Sequence, residues 1–180
     1  MREMTRDTAR TWAEISLGNL EHNYRALRAC APGSRFLATV KANGYGHGAV
    51  PVARRLTELG TDYLAVACLE EGAALRAAGI TAPVLVLGHT QPELAAEVVA
   101  LGLTQAVFTR ELAEALSAAA GAAGTRAKIH LKVDTGMSRL GVLDHDPQAA
   151  AREIAALCAL PHLEPEGIFT HFAHADGDEA

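Results

Sequence analysis

An α/β fold built on a parallel sheet is what this sequence predicts, and three observations predict it. Short apolar runs alternate with longer amphipathic ones, one strand-helix unit in roughly every 20–30 residues. The short runs are almost continuously apolar, as in strands covered on both faces. The longer runs carry their own start and stop signals. Hydrophobic residues make up 49% of the 180-residue chain and aromatic residues only 4%, so Ala, Leu and Val must fill the core. Alanine favours helix, and the Val/Ile/Leu clusters favour strand.

Taken in order, the first helix starts at Ser16, which can cap "LGNLEHNYRALRA" (17–29), with Ile15 and Leu20 spaced as a hydrophobic staple. "RFLATVK" (35–41) is the first strand. In "AVPVARRLTELG" (49–60), Val52, Leu56 and Leu59 fall at i, i+4 and i+7 and give one inward stripe. "DYLAVAC" (62–68) and "PVLVLGH" (83–89) are the next strands. Thr90 and Glu93 spell a capping box before "LAAEVVAL", and Gly102 ends that helix. "TQAVFT" (104–109) and "KIHLKVD" (128–134) are strands, with "SAAAGAAGTRA" (117–127) between them as a flexible loop. Asp146 and Pro147 open "QAAAREIAALCAL" (148–160), Pro161 stops it, and "EGIFTHF" (166–172) is a sixth strand. Two architectures satisfy this pattern: an open doubly wound sheet, or part of an eight-stranded barrel. A complete barrel takes about 250 residues, so the barrel reading implies a missing end.

Composition excludes several function classes. The formal charge of −5 and the lack of a basic run with interleaved aromatics argue against a nucleic-acid partner. Cys30, Cys68 and Cys158 are odd in number and have no CxxC spacing, which fits a reducing compartment without a zinc site. The opening "MREMTRDTAR" lacks the apolar core of a signal peptide, and no apolar run approaches the roughly 20 residues of a membrane helix. A soluble, cytoplasmic protein with no membrane partner is expected.

The residue of most chemical interest is Lys41, in "TVKANGYGHG" (39–48). A period of two puts Leu37, Thr39 and Lys41 on one face of the first strand and Phe36, Ala38 and Val40 on the other. The second face suits packing under helices. Lys41 then points into the barrel or crevice at the carboxyl end of its strand, where parallel α/β folds place their sites. "GYGHG" lacks the spacing of a dinucleotide fingerprint, and a P-loop sets its lysine after the glycines. A partly desolvated amine can instead attack a carbonyl and form a Schiff base, and glycines beside it let a bulky ligand approach the backbone. A lysine that merely snorkels at a strand end would look the same. In "KVDTGMSRLG" the same period puts His130, Lys132 and Asp134 on one face, which reads either as the lined interior of a barrel or as an exposed edge.

Four segments bear a resemblance to one known family. "AxVKANGYGHG", ending at Gly48, resembles the pyridoxal-phosphate lysine signature of alanine racemases, and "KIHLKVDTGMSRLGV" (128–142) resembles their second signature. "GIFTHFAHAD" (167–176) resembles a third segment, and "TWAEISLGNLEHNYRALR" (11–28) is similar to the way these enzymes begin. The resemblance implies a partial TIM (β/α)8-type barrel of about six βα units over residues 14–180, after an N-terminal arm over 1–13. The last barrel strands and a C-terminal β domain would then be missing.

The family's roles, carried onto the matching positions, make Lys41 the residue that holds pyridoxal 5′-phosphate and exchanges a proton with the substrate. Tyr45 would bind the cofactor phosphate. Arg139 would donate to the cofactor's phenolic oxygen and help to bind substrate. His171 would lie against the pyridine ring. Lys132 matches a lysine that some members carry as a carbamate. The implied activity is interconversion of L- and D-alanine, supplying D-alanine for cell-wall synthesis, in a homodimer of the full-length enzyme. The family's second base is a tyrosine from the partner's C-terminal domain, and none of Tyr24, Tyr45 and Tyr63 lies in a matching segment. A non-catalytic cofactor-binding barrel or an inactive remnant is the competing expectation. No metal is expected at His171, His174 and Asp176, because H-x-x-H on a strand turns the two rings to opposite faces. His47 is read as structural.

Overall fold

The computed structural model describes residues 11–177, so most of the arm expected over 1–13 lies outside the described residues. Six strands follow one another in space in chain order: β1 (Leu37–Thr39), β2 (Tyr63–Val66), β3 (Val84–Val86), β4 (Thr104–Val107), β5 (Ala127–Asp134) and β7 (Leu163–Phe169). Every pairing is parallel. A two-residue strand, β6 (Val142–Leu143), pairs with the end of β5 beyond the stretch that pairs with β7. A doubly wound sheet reverses its strand order at a switch point; this one does not. The architecture is therefore a partial (β/α) barrel.

Period-two alternation sorts the strands into two faces. Ala38, Val40, Leu64, Val66, Val84, Val86, Val107, Ile129 and Leu131 pack with helix residues such as Val52, Leu56, Leu75, Val98 and Leu112 in the main core. The opposite face holds a smaller cluster of Ala65, Leu85 and Ala106, with Tyr63, Leu87 and Phe169 against it. That face is the concave interior. β5 has strands on both sides, so the edge-strand reading of His130, Lys132 and Asp134 falls away.

The helices largely start where their caps dictate. In α1 (Leu17–Ala29) Ser16 Oγ accepts from Asn19 N–H at 3.2 Å. α3 (Ala49–Glu58) buries Val52 and Leu56, with Leu59 just beyond it packed on the core. α4 (Leu69–Ala77) follows β2. α7 (Pro147–Cys158) begins at Asp146, whose carboxylate accepts from Gln148 and Ala149 N–H, both at 3.0 Å.

Four expectations need correction. Thr90 is not a helix cap: it is buried and donates to Gln105 Oε1 at 2.7 Å, satisfying a fully buried amide. A 3-10 turn (Pro92–Leu94) intervenes before α5 (Ala95–Ala100), whose end is closed by Gly102 at φ 57° as expected. The loop expected over 117–127 is mostly helix, since α6 (Arg110–Ala122) buries Leu112, Ala113, Leu116, Ser117 and Ala120. Its glycine at 121 is kept by packing: a Cβ there would stand 2.9 Å from the His162 ring. The last strand starts three residues earlier than expected, because Leu163 is fully buried and pairs with Ala127.

Leu116 is fully buried between α6 and the sheet. Leu116→Ala is expected to lower the unfolding free energy by about 2–5 kcal/mol in urea titration. Glu111→Ala, on the exposed side of the same helix, should change it by no more than about 0.5 kcal/mol.

Candidate active site

The site residues expected from sequence all fall at or beyond the carboxyl ends of the strands. β1 proper stops at Thr39, and Lys41 opens α2 (Lys41–Tyr45), a turn of left-handed helix. Ala42, Asn43 and Tyr45 have φ of 51°, 53° and 53°, and Gly44 has φ 63°. A left-handed turn costs an L-residue about 1–2 kcal/mol, so three such residues in a row with a glycine need outside support. Asn43 Oδ1 accepts from Ala49 N–H at 2.9 Å, and Glu71 Oε1 from Ala42 N–H at 2.7 Å. His47 Nδ1 lies 3.0 Å from the Gly44 carbonyl, the structural role expected of it. Gly44 also sits close to the next helix: a Cβ would stand 3.3 Å from Ala49 N, a tight contact. The turn leaves Lys41 half-buried, its Nζ 6.0 Å from the centre of the Tyr45 ring, which is 60% exposed.

The second group stands on β5 and the loop after it. Lys132 is buried, its Nζ 5.0 Å from the centre of the Phe169 ring. Burial lowers its affinity for a proton, Arg139 lowers it further, and Asp134 acts the other way. Asp134 is the hub of the loop. It accepts from Ser138 N–H at 2.9 Å, Gly136 N–H at 3.0 Å and Arg139 N–H at 2.9 Å. Those bonds hold its carboxyl below the usual aspartate range. Gly141, at φ 135°, lets the loop close on this hub, since a Cβ would stand 2.5 Å from Asp134 N.

Arg139 is thus fixed by its backbone while its side chain stays exposed. His171, past the end of β7, is also exposed, with Nδ1 2.9 Å from the Phe172 carbonyl. A Thr135–Thr170 hydroxyl contact of 2.7 Å ties the β5 loop to the end of β7. Lys132, Arg139 and His171 therefore stand at the β5–β7 end of the strand order, and Lys41 with Tyr45 at the β1 end.

Deeper in the concavity lies a polar floor. Tyr63 donates to Glu166 Oε2 at 2.7 Å and shares a 2.6 Å contact with Thr104 Oγ1; Lys128 pairs with Glu166. Burial pushes the Tyr63 phenol up to about 12. Tyr24 is buried edge-on to Phe36 and accepts from Arg28 at 3.3 Å. Of the chain's three tyrosines Tyr24 is buried, Tyr63 half-buried and Tyr45 exposed.

An amine, a phenol, a guanidinium and an imidazole, all at or beyond the carboxyl ends of parallel strands, suit a ligand with an aldehyde and a phosphate. The donor set therefore fits pyridoxal phosphate. Sequence reasoning missed Glu71 and the hub role of Asp134. Both are carboxylates that accept backbone N–H groups, and only the position of Glu71 in the first turn of α4 hints at such a role.

Known proteins resemble the chain over most of its length. It is 50% identical to an alanine racemase of Desulfovibrio desulfuricans over 166 residues, which is 92% of this chain and 44% of the relative. The solved alanine racemase of Clostridium difficile 630 in complex with cycloserine matches with a TM-score of 0.88 and 39% identity, over 92% of this chain and 45% of that one. A histidine racemase from Leuconostoc mesenteroides matches with a TM-score of 0.79 and 30% identity, over 91% and 44%. The chain spans less than half the length of these relatives. The family model for the N-terminal domain of alanine racemase matches residues 15–180, nearly the whole chain, and the chain belongs to that family.

Proposed function

We propose that this chain is the cofactor-holding N-terminal part of a pyridoxal-phosphate-dependent amino-acid racemase that interconverts L- and D-alanine. The observation that carries the reading is Lys41, held beside Tyr45 by a strained turn at the carboxyl end of a barrel strand. Strain of this kind persists where the surroundings over-determine it, and it concentrates at functional sites.

Pyridoxal phosphate, when bound, supplies an electron sink that acidifies the Cα–H bond of an attached amino acid. The residues of this chain do the rest. Lys41 would hold the cofactor through its amine and, when free, would take or return a proton at the substrate Cα on one face. The Tyr45 hydroxyl would donate to the phosphate. Arg139 would donate from its planar fork to the cofactor's phenolic oxygen and to the substrate carboxylate. His171 would lie against the ring. Lys132, whose neutral form is favoured by burial, is a candidate for carbamate formation, which would place an anion beside Arg139. The proton on the other face needs a second group, supplied in a homodimer of the full-length enzyme; Tyr24 and Tyr63 are committed to the core and the floor.

That commitment favours a second reading for the 180 residues by themselves: cofactor binding without racemisation. Substrate choice is a separate matter. Lys41, Tyr45 and Arg139 address atoms common to the cofactor and to every amino acid. A histidine racemase sharing this half is consistent with side-chain selection residing elsewhere, and the alanine assignment rests on the higher identity to alanine racemases.

Incubated with pyridoxal phosphate, the chain should develop a visible absorbance band that Lys41→Ala abolishes. A wild-type protein without the band would refute the reading. Deuterium uptake at the α-carbon of alanine in heavy water separates the two versions: exchange supports proton transfer by Lys41, and a band without exchange supports binding alone.

Asp134 gives a pH prediction. Its carboxyl is held below the aspartate range in the folded loop, so its tether is complete above the unfolded value of about 3.9 and is lost as pH falls through the folded value. Amide exchange at Ser138 and Arg139, corrected for intrinsic rates, should accelerate in that acid window. Asp134→Asn should show the faster exchange already at neutral pH and retain pyridoxal phosphate less tightly.

A further inference from the structure

Glu71 accepts from the backbone N–H that directly follows Lys41, and the mechanism above does not use it. It occupies the third position of α4, after Cys68 as N-cap. A glutamate there commonly reaches back to cap its own helix. One oxygen does so in spirit: Oε2 accepts from Ala67 N–H, at the end of β2, at 2.7 Å. The other oxygen leaves the helix. Oε1 accepts from Ala42 N–H, also at 2.7 Å, on the neighbouring strand's connection. Both lengths are those of charge-assisted bonds.

We propose that Glu71 is the positioning residue for Lys41: its carboxylate clamps the peptide that joins residues 41 and 42 and so aims the lysine amine. This inference rests on the reading of Lys41 as the cofactor-holding amine. The tethered N–H belongs to the peptide plane immediately after Lys41. Fixing it fixes ψ of residue 41 and φ of residue 42, hence the direction in which the Lys41 side chain leaves the backbone. The same bond stands at the entrance of the left-handed turn, where Ala42 and Asn43 have positive φ without a glycine's freedom. Asn43 and His47 secure the far side of the turn; Glu71 secures the side next to the amine. Because the partner oxygen is bound to Ala67, the turn is referenced to the end of β2 rather than to a mobile loop.

The lysines of the chain are Lys41, Lys128 and Lys132, which makes covalent labelling a clean test. The 180-residue protein is treated with pyridoxal phosphate and reduced with borohydride, and the rate of modification at each lysine is read by peptide mass mapping. In wild type, Lys41 should be modified in preference to Lys128, which is paired to Glu166 on the floor. Glu71→Ala should slow Lys41 labelling about tenfold, the scale expected when a reacting group is displaced by a fraction of an ångström, and leave Lys128 labelling unchanged. Glu71→Gln, with one carbonyl for two donors, should fall between, and Glu70→Ala should behave as wild type.

A general loss of structure would free Lys128 and Lys132 and speed their labelling, so it is told apart from misaimed Lys41. Undiminished Lys41 labelling in Glu71→Ala, or a loss at Lys41 accompanied by a change at Lys128, overturns the clamp while leaving the Lys41 reading in place. Failure of wild-type Lys41 to label in preference to Lys128 overturns both.

Discussion

A parallel strand delivers its carboxyl end to one rim of the sheet, and everything functional in this chain depends on what the backbone does there. Side chains alternate across the strand, so one face is committed to the helices and the other to the concavity. Lys132 occupies a concave-face position on β5 and Lys41 stands just past the end of β1, each beside a buried neighbour, Leu131 and Val40. A shift of one residue in either strand would bury the amine under a helix. The apolar outer face therefore sets the register, and the register sets where the chemistry stands.

The rim has a second problem, which the chain solves twice in the same way. Backbone N–H groups leaving a strand end lose their ladder partners, and a loop must satisfy them or face solvent. Glu71 accepts such groups from Ala42 and Ala67; Asp134 accepts them from Gly136, Ser138 and Arg139. In each case a carboxylate with no proposed contact to the cofactor organises the backbone next to a residue proposed to make one. Carboxylates suit this task because each offers several lone pairs and the bonds are charge-assisted. Neutral caps would satisfy fewer donors for the same volume.

Much of this was legible from the residues. The places of the first five strands, the Ser16 and Asp146 caps, the Gly102 helix stop and the two-faced pattern of 128–134 all follow from local chemistry, and the structure agrees with them; the last strand is displaced, running from Leu163 to Phe169. Failures came where a tertiary partner outbid a local signal. Thr90 fits a capping box, yet its hydroxyl is worth more to the buried Gln105 amide, which would otherwise lack a donor. The glycines of 117–127 suggest a loop, but the alanines between them pack on the sheet and carry the helix to Ala122. The third-position glutamate of α4 reads as an ordinary helix start, and nothing in one dimension says that its second oxygen crosses to another strand. The left-handed turn was half visible: "NGYG" announces positive φ, but not that Ala42 and Tyr45 would share it.

The geometry of the rim also limits what the sheet can do. β1 and β7 each have one unpaired edge among the described residues, and both expose apolar side chains, Leu37 at 38% and Ile168 at 62%. Lys41 belongs to the first edge and His171 to the second. For both to face one ligand, the sheet must curl until its edges approach across a gap, and parallel barrels of this type close with about eight strands. Six strands hold the two halves of the site on a common rim without joining them. If both contact one ligand, the distance between Lys41 and His171 depends on how far the sheet curls, whereas the backbone within each half is held by the bonds of Glu71 and Asp134. Affinity for the cofactor should then divide into a local part already built into these residues and a closure part that is not.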